Sequence, residues 1–128
     1  MPIILTAEAR ESLEKIKAAV LSHPSQVDMG EWVCGTTGCI AGWHWLLSVG
    51  YAEHIDPRAD HIDSAFYHLL FPEEDLDNRK NTTLYHSVIL VGHWPEKFQE
   101  RIDGLNPTTE KYAQVVADRI QHLLDTGE

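Results

Sequence analysis

The sequence predicts an all-α, single small domain of five to six helices packed around a central apolar helix at about 37–49. Three observations carry this reading. Apolar residues recur at three- and four-residue intervals in several separate stretches, the period of a helix with one buried face. Those stretches are bounded by helix start and stop residues. The segment from Gly38 to Ser48 has no polar face apart from His44, as expected of a helix buried in the middle of its domain. The 128 residues fit one domain, 1–128, with enough length to bury a core.

The first helix opens at Thr6-Ala7-Glu8-Ala9, with Thr6 as N-cap and Glu8 and Glu11 placed where they suit the helix dipole. Ala9, Leu13, Ile16 and Val20 form its apolar stripe, and His23-Pro24-Ser25 ends it because the residue before a proline avoids the helical region. Ile3, Ile4 and Leu5 form an apolar lead-in expected to fold back on the domain. Val27 to Trp32 reads as a connector that delivers Trp32 to the core.

Both cysteines, three of the four tryptophans and three of the eight glycines lie between Trp32 and Trp45. Gly35 allows a tight turn, Thr36 or Thr37 is expected to cap the helix that follows, and Gly50 to stop it. Gly42 inside that helix should cost about 1 kcal/mol relative to alanine. With Gly38 and Ala41 it is read as a flat patch for close approach of another backbone. Trp32, Gly35, Thr36, Gly38, Gly42 and Trp43 are accordingly taken as the structural hub.

Asp56-Pro57 is a second start signal, followed by Ile62, Ala65, Phe66, Leu69 and Leu70 at helical spacing and a stop at Phe71-Pro72. A polar, aperiodic loop is expected at about 72–83. Leu84 to Val91 is rich in β-branched residues and fits a strand or a helix begun at Thr83; helix is preferred because no strand partner is in sight. Trp94-Pro95 starts a short helix with Phe98 and Ile102 inward and Gly104 as its stop. Asn106-Pro107 starts the last, with Tyr112, Val115, Val116, Ile120, Leu123 and Leu124 inward and Gly127 as its end.

Twenty acidic against ten basic residues give a formal charge of −10. Phosphate-backbone binding needs a basic surface, so nucleic acid is not an expected partner. Acidic surfaces suit solubility, cations or basic proteins. With no apolar run of about 18 residues, no membrane span is expected. Met1 to Leu5 lacks a basic n-region and a cleavage site, so a cytoplasmic location is the expectation.

Cys34 and Cys39 have a C-x4-C spacing, which matches neither a CxxC redox motif nor a four-ligand zinc site lacking a second cysteine pair. Cys39 is placed in the first turn of its helix, where the dipole can lower a thiol pKa. Buried structural thiols are the first reading. Cys34 and Cys39 with His44 are the weak candidates for a divalent metal ion or a redox role, and a cysteine nucleophile is a third. Of the eight histidines, His61 and His68, and likewise His86 and His93, are spaced by seven. Two helical turns separate such residues by about 10 Å of rise, too far for one ion without a bend or a third element. Asp75-Leu76-Asp77 begins like a calcium loop, but Arg79, Lys80 and His86 stand where an oxygen ligand, the glycine and the bidentate glutamate are required. Arg119, at the border of the last apolar stripe, is expected to pair with a core-edge carboxylate.

The pattern Trp32-Val33-Cys34-Gly35-Thr36-Thr37-Gly38-Cys39-Ile40-Ala41-Gly42-Trp43 resembles a family of small bacterial and phage proteins with a tryptophan, then C-G-T-x-x-C-I-A-G and an aromatic or histidine. Trp94-Pro95-Glu96-Lys97-Phe98 resembles that family's W-P-x-x-F segment, and Ala117-Asp118-Arg119-Ile120 its closing helix; the charged stretch from Glu73 to Thr83 departs from it. The resemblance implies a small helical domain and no activity. No catalytic residue or cofactor is assigned and an enzyme is not the leading expectation. The expected function is protein–protein binding or self-association; the alternative is a metal- or redox-responsive protein using Cys34 and Cys39 with histidines.

Overall fold

The computed structural model describes residues 2–30, 33–34, 37–49 and 59–128. Among them are six helices packed in a small single domain: α1 (Ala7–Ser22), α2 (Ile40–Val49), α3 (Ala59–Leu70), α4 (Thr82–Ile89), α5 (Glu96–Ile102) and α6 (Glu110–Thr126). A minimal antiparallel ladder precedes α2, in which β1 (Val33–Cys34) pairs with β2 (Thr37–Gly38), Val33 opposite Gly38 and Cys34 opposite Thr37.

The frame is the contact between the two long helices, α1 and α6. Thr6 caps α1 by accepting from the Ala9 N–H at 3.0 Å, and Ala9, Leu13, Ile16 and Val20 are all fully buried. Leu13, Ile16 and Val20 each contribute about 1.5–3 kcal/mol of transfer free energy on burial. On α6, Tyr112, Val116, Ile120, Leu123 and Leu124 turn inward, and Gly127 closes the helix at φ +76°. The Ile3 N–H donates to the Gly127 carbonyl at 2.7 Å, so the lead-in lies against the end of α6. Ile3 is buried there while Ile4 points outward, 90% exposed.

α2 packs against α1 and α3. Ile40, Ala41 and Trp43 are buried, and the Trp43 indole donates to the Gln26 carbonyl at 3.1 Å. The helix begins three residues later than the sequence suggests. Thr37 and Gly38 are held in the ladder, and Cys39 takes the capping position: its carbonyl accepts from the Trp43 N–H and its Sγ from the Gly42 N–H at 3.4 Å. The expected stop at Gly50 and start at Asp56-Pro57 lie outside the described residues.

Residues 84–89 complete α4, as the helical reading has it. The last helix corrects its expected start. Asn106-Pro107 do not open it; Thr108 adopts φ +67°, and Thr109 is the N-cap, accepting from the Tyr112 N–H. The Thr108 N–H donates to the Val27 carbonyl and the Met29 N–H to the Tyr112 hydroxyl, which fastens the connector after α1 to the start of α6.

Candidate functional site

Of the hub residues, Gly38, Gly42 and Trp43 lie among the described residues. The Trp43 ring is fully buried and lies parallel to His23, 8° between planes with centres 5.9 Å apart. Gly42 is buried and its N–H is the donor held by Cys39. Cys39 is a free thiol, 4% exposed. Burial pushes the thiol up from its ordinary value, overriding the backbone N–H groups of α2 that pull it down. The dipole at the start of α2, which can lower a thiol pKa, is outweighed here by desolvation, and Cys39 is the buried thiol of the first reading. His44 packs against Phe66 of α3, ring centres 5.7 Å apart. Its Nδ1 is buried with no hydrogen-bond partner, and burial lowers its pKa, so the ring is neutral at pH 7. Trp32, Gly35 and Thr36 lie outside the described residues. Among the described residues no three histidine, cysteine or carboxylate side chains converge as a metal site.

A polar cluster the sequence does not advertise ties the loop after α3 to the core. Arg79 lies over the Tyr67 ring at 4.5 Å, and its Nη1 donates to Asp63 Oδ2 at 2.7 Å. The Tyr85 hydroxyl donates to the other oxygen of Asp63 at 2.8 Å. The Tyr67 hydroxyl donates to Glu74 at 2.7 Å, and the Lys80 and Asn81 groups donate to the same carboxylate. Partial desolvation opposes ionisation of Glu74, but these hydrogen bonds prevail and hold its carboxyl below the usual range. Burial, then the Asp63 carboxylate, drives the Tyr85 phenol far above its ordinary pKa, so it stays a donor. The cluster fixes a loop otherwise held by turns, with Lys80 and Asn81 at its exposed edge.

Arg119 also departs from expectation. It is fully buried and pairs with no carboxylate side chain. Its Nη2 donates to the Ser87 carbonyl at 2.7 Å and to the main-chain oxygen of Glu128, while Nε and Nη1 have no partner. The guanidinium sits 5.8 Å from the centre of the Phe98 ring. Burial lowers its pKa to about 10, so the charge persists at neutral pH. Two main-chain oxygens and an aromatic face surround the guanidinium.

Next to Phe98 the surface opens into a shallow groove between α5 and α6, about 300 Å³ in volume. Lys97 and Arg101 stand on the α5 side, Asp118, Gln121, His122 and Asp125 on the α6 side. Arg101 bonds Asp118 at 2.7 Å, and Asp125 accepts from Gln121 at 2.8 Å. The His122 ring meets Phe98 edge-on at 5.3 Å. Burial, then the cations Lys97 and Arg119, lower its pKa and keep it neutral at pH 7. The groove thus has a basic wall, an acidic wall and an aromatic floor. Sequence reading identifies Phe98 as core and gives Lys97, Arg101, Asp118 and Asp125 no role of their own, because opposite charges on two different helices carry no pattern in one dimension.

No helix of the described residues is long and apolar enough to cross a membrane. No family model, curated protein or solved structure matches the chain.

Proposed function

We propose that the chain is a non-enzymatic binding protein that docks a segment of a basic protein partner in the groove between α5 and α6. The observation that carries this reading is the charge bordering that groove beside Phe98, Lys97 on α5 and Asp125 on α6 flanking the Arg101–Asp118 ion pair. Small-molecule sites are enclosed and mostly apolar, with a few convergent polar groups. This groove is open and bordered by charge, which suits an extended segment held in one orientation, its basic side chains towards α6 and its acidic ones towards α5. The charge of −10 attracts a basic partner at long range and opposes a second copy of the chain, which favours a heteromeric complex over self-association. The redox alternative loses support from the burial of Cys39 as a helix cap.

Co-purification with tagged chain, combined with light scattering on the isolated protein, tests the proposal. A partner retained by the native chain and by Lys15→Glu on α1, but lost with Lys97→Glu or Asp125→Lys, is the expected result. Retention by all variants, or a stable homodimer with no captured partner, overturns it.

A further inference from the structure

From the geometry after α4 we infer a surface binding site for a divalent transition ion of the zinc class, formed by His86 and His93 with water in the remaining positions. Seven residues apart on a continuous helix, these rings are held about 10 Å apart by the rise alone. The helix does not continue. α4 ends at Ile89, Leu90 is extended at φ −112°, ψ +116°, and residues 91–93 form a single 3-10 turn. This bend brings the His86 and His93 ring centres to 5.8 Å, the planes inclined at 51° rather than stacked.

That separation is close to what one ion needs. An imidazole nitrogen lies about 1.1 Å from its ring centre and a zinc–nitrogen bond is about 2.0 Å, so two rings on a tetrahedral ion have centres roughly 5 Å apart. Small rotations of the two side chains cover the difference. Neither ring's nitrogens are engaged in a hydrogen bond by the described residues, so both rings are free to ligate. His93 is exposed and His86 half-buried, so an ion reaches both from solvent.

The bend is fixed before any ion arrives. The His93 N–H donates to the Leu90 carbonyl at 2.9 Å and the Trp94 N–H to Val91 at 3.1 Å. The buried Trp94 indole donates to the Val88 carbonyl at 2.8 Å, and the Gln99 amide donates to the Trp94 carbonyl at 2.6 Å. A turn anchored on both sides loses little freedom on binding, which favours chelation. Two protein ligands leave the remaining coordination positions to water. This site shares no residue with the Cys34, Cys39 and His44 set.

Calorimetric titration of tag-free protein with zinc chloride in a non-chelating buffer tests the inference, with helical content of every variant checked by circular dichroism. One zinc per chain is expected, weakened at least tenfold in His86→Ala and in His93→Ala, the double variant being no weaker than either single one. Zinc should also move the ring resonances of His86 and His93 together in the NMR spectrum of the native chain. Magnesium should produce neither effect, and His61→Ala, exposed on α3, should bind as the native chain does. Unchanged affinity in either single variant, shifts at other histidines only, or no saturable binding at millimolar zinc overturns the site.

Discussion

Cys39 is where a structural and a chemical reading of the chain separate most clearly, and thiol reactivity distinguishes them. With its ordinary value near 9, a solvent thiol is about 1% thiolate at pH 7, and burial pushes Cys39 higher still. Access adds a second factor, because a residue 4% exposed has to await an opening of the fold. For a domain stable by 5 kcal/mol or more, the open fraction is about 10⁻⁴ or less. In a Cys34→Ser background, Cys39 should therefore react with an aromatic disulfide reagent at least about 10³-fold more slowly in native buffer than in denaturant, and the rate should rise along the unfolding transition. The cap gives a second reading of the same atom. Cys39→Ala removes the acceptor for the Gly42 N–H and should cost about 1–2 kcal/mol, whereas Cys39→Ser keeps an acceptor and should cost less. Native-state labelling at the denatured rate, or an alanine variant as stable as the parent, refutes the assignment of this thiol as a buried cap.

Three further outcomes follow from packing and electrostatics. Gly127→Ala should destabilise by about 2–4 kcal/mol, because a Cβ there adopts a left-handed backbone and falls 2.4 Å from the Ile3 carbonyl oxygen. Gly104→Ala, at φ +78° with open space around it, should cost only about 1–2 kcal/mol, so urea denaturation of the two variants isolates the contact with the lead-in. Asp63→Ala should cost about 1–3 kcal/mol by leaving Arg79 unpaired and weakening the Tyr85 hydroxyl's bonding, with Asp63→Asn milder; the urea midpoint checks both. His44 and His122 have folded pKa values below the unfolded one, so the unfolded chain takes up protons first on acidification. Stability should accordingly fall as pH drops below about 6.5, and that slope should diminish in His122→Gln; a pH-independent urea midpoint between 7.5 and 5.5 contradicts the shifts.

Much of the fold is legible in one dimension because its long helices follow a single period. Ala9, Leu13, Ile16 and Val20 line α1 as their spacing demands, and Gly127 stops α6 for the reason glycine usually does. The start of α2 is not legible. Two threonines, the usual capping residues, stand just upstream, yet Thr37 is held in a two-residue ladder and a cysteine caps instead. Arg119 shows a second limit: its acceptors are main-chain oxygens, and every residue has one, so no sequence feature identifies them. The Asp63–Arg79–Tyr85 cluster joins residues from two helices and the loop between them, which no periodic pattern reports. The groove is hidden for the same reason, since its two walls belong to different helices. The approach of His86 to His93 depends on a helix ending at Ile89, and there the β-branched run around Val88 and Gly92 is the only clue.

Site-specific crosslinking tests the docking groove most directly. A photo-activated side chain at position 97, on the α5 wall, should yield a single covalent adduct with another protein in cells of the source organism. The same group at position 15, on the exposed face of α1, should yield none. Adducts of equal intensity from both positions, or none from position 97 while position 15 reacts, would contradict a partner seated between α5 and α6.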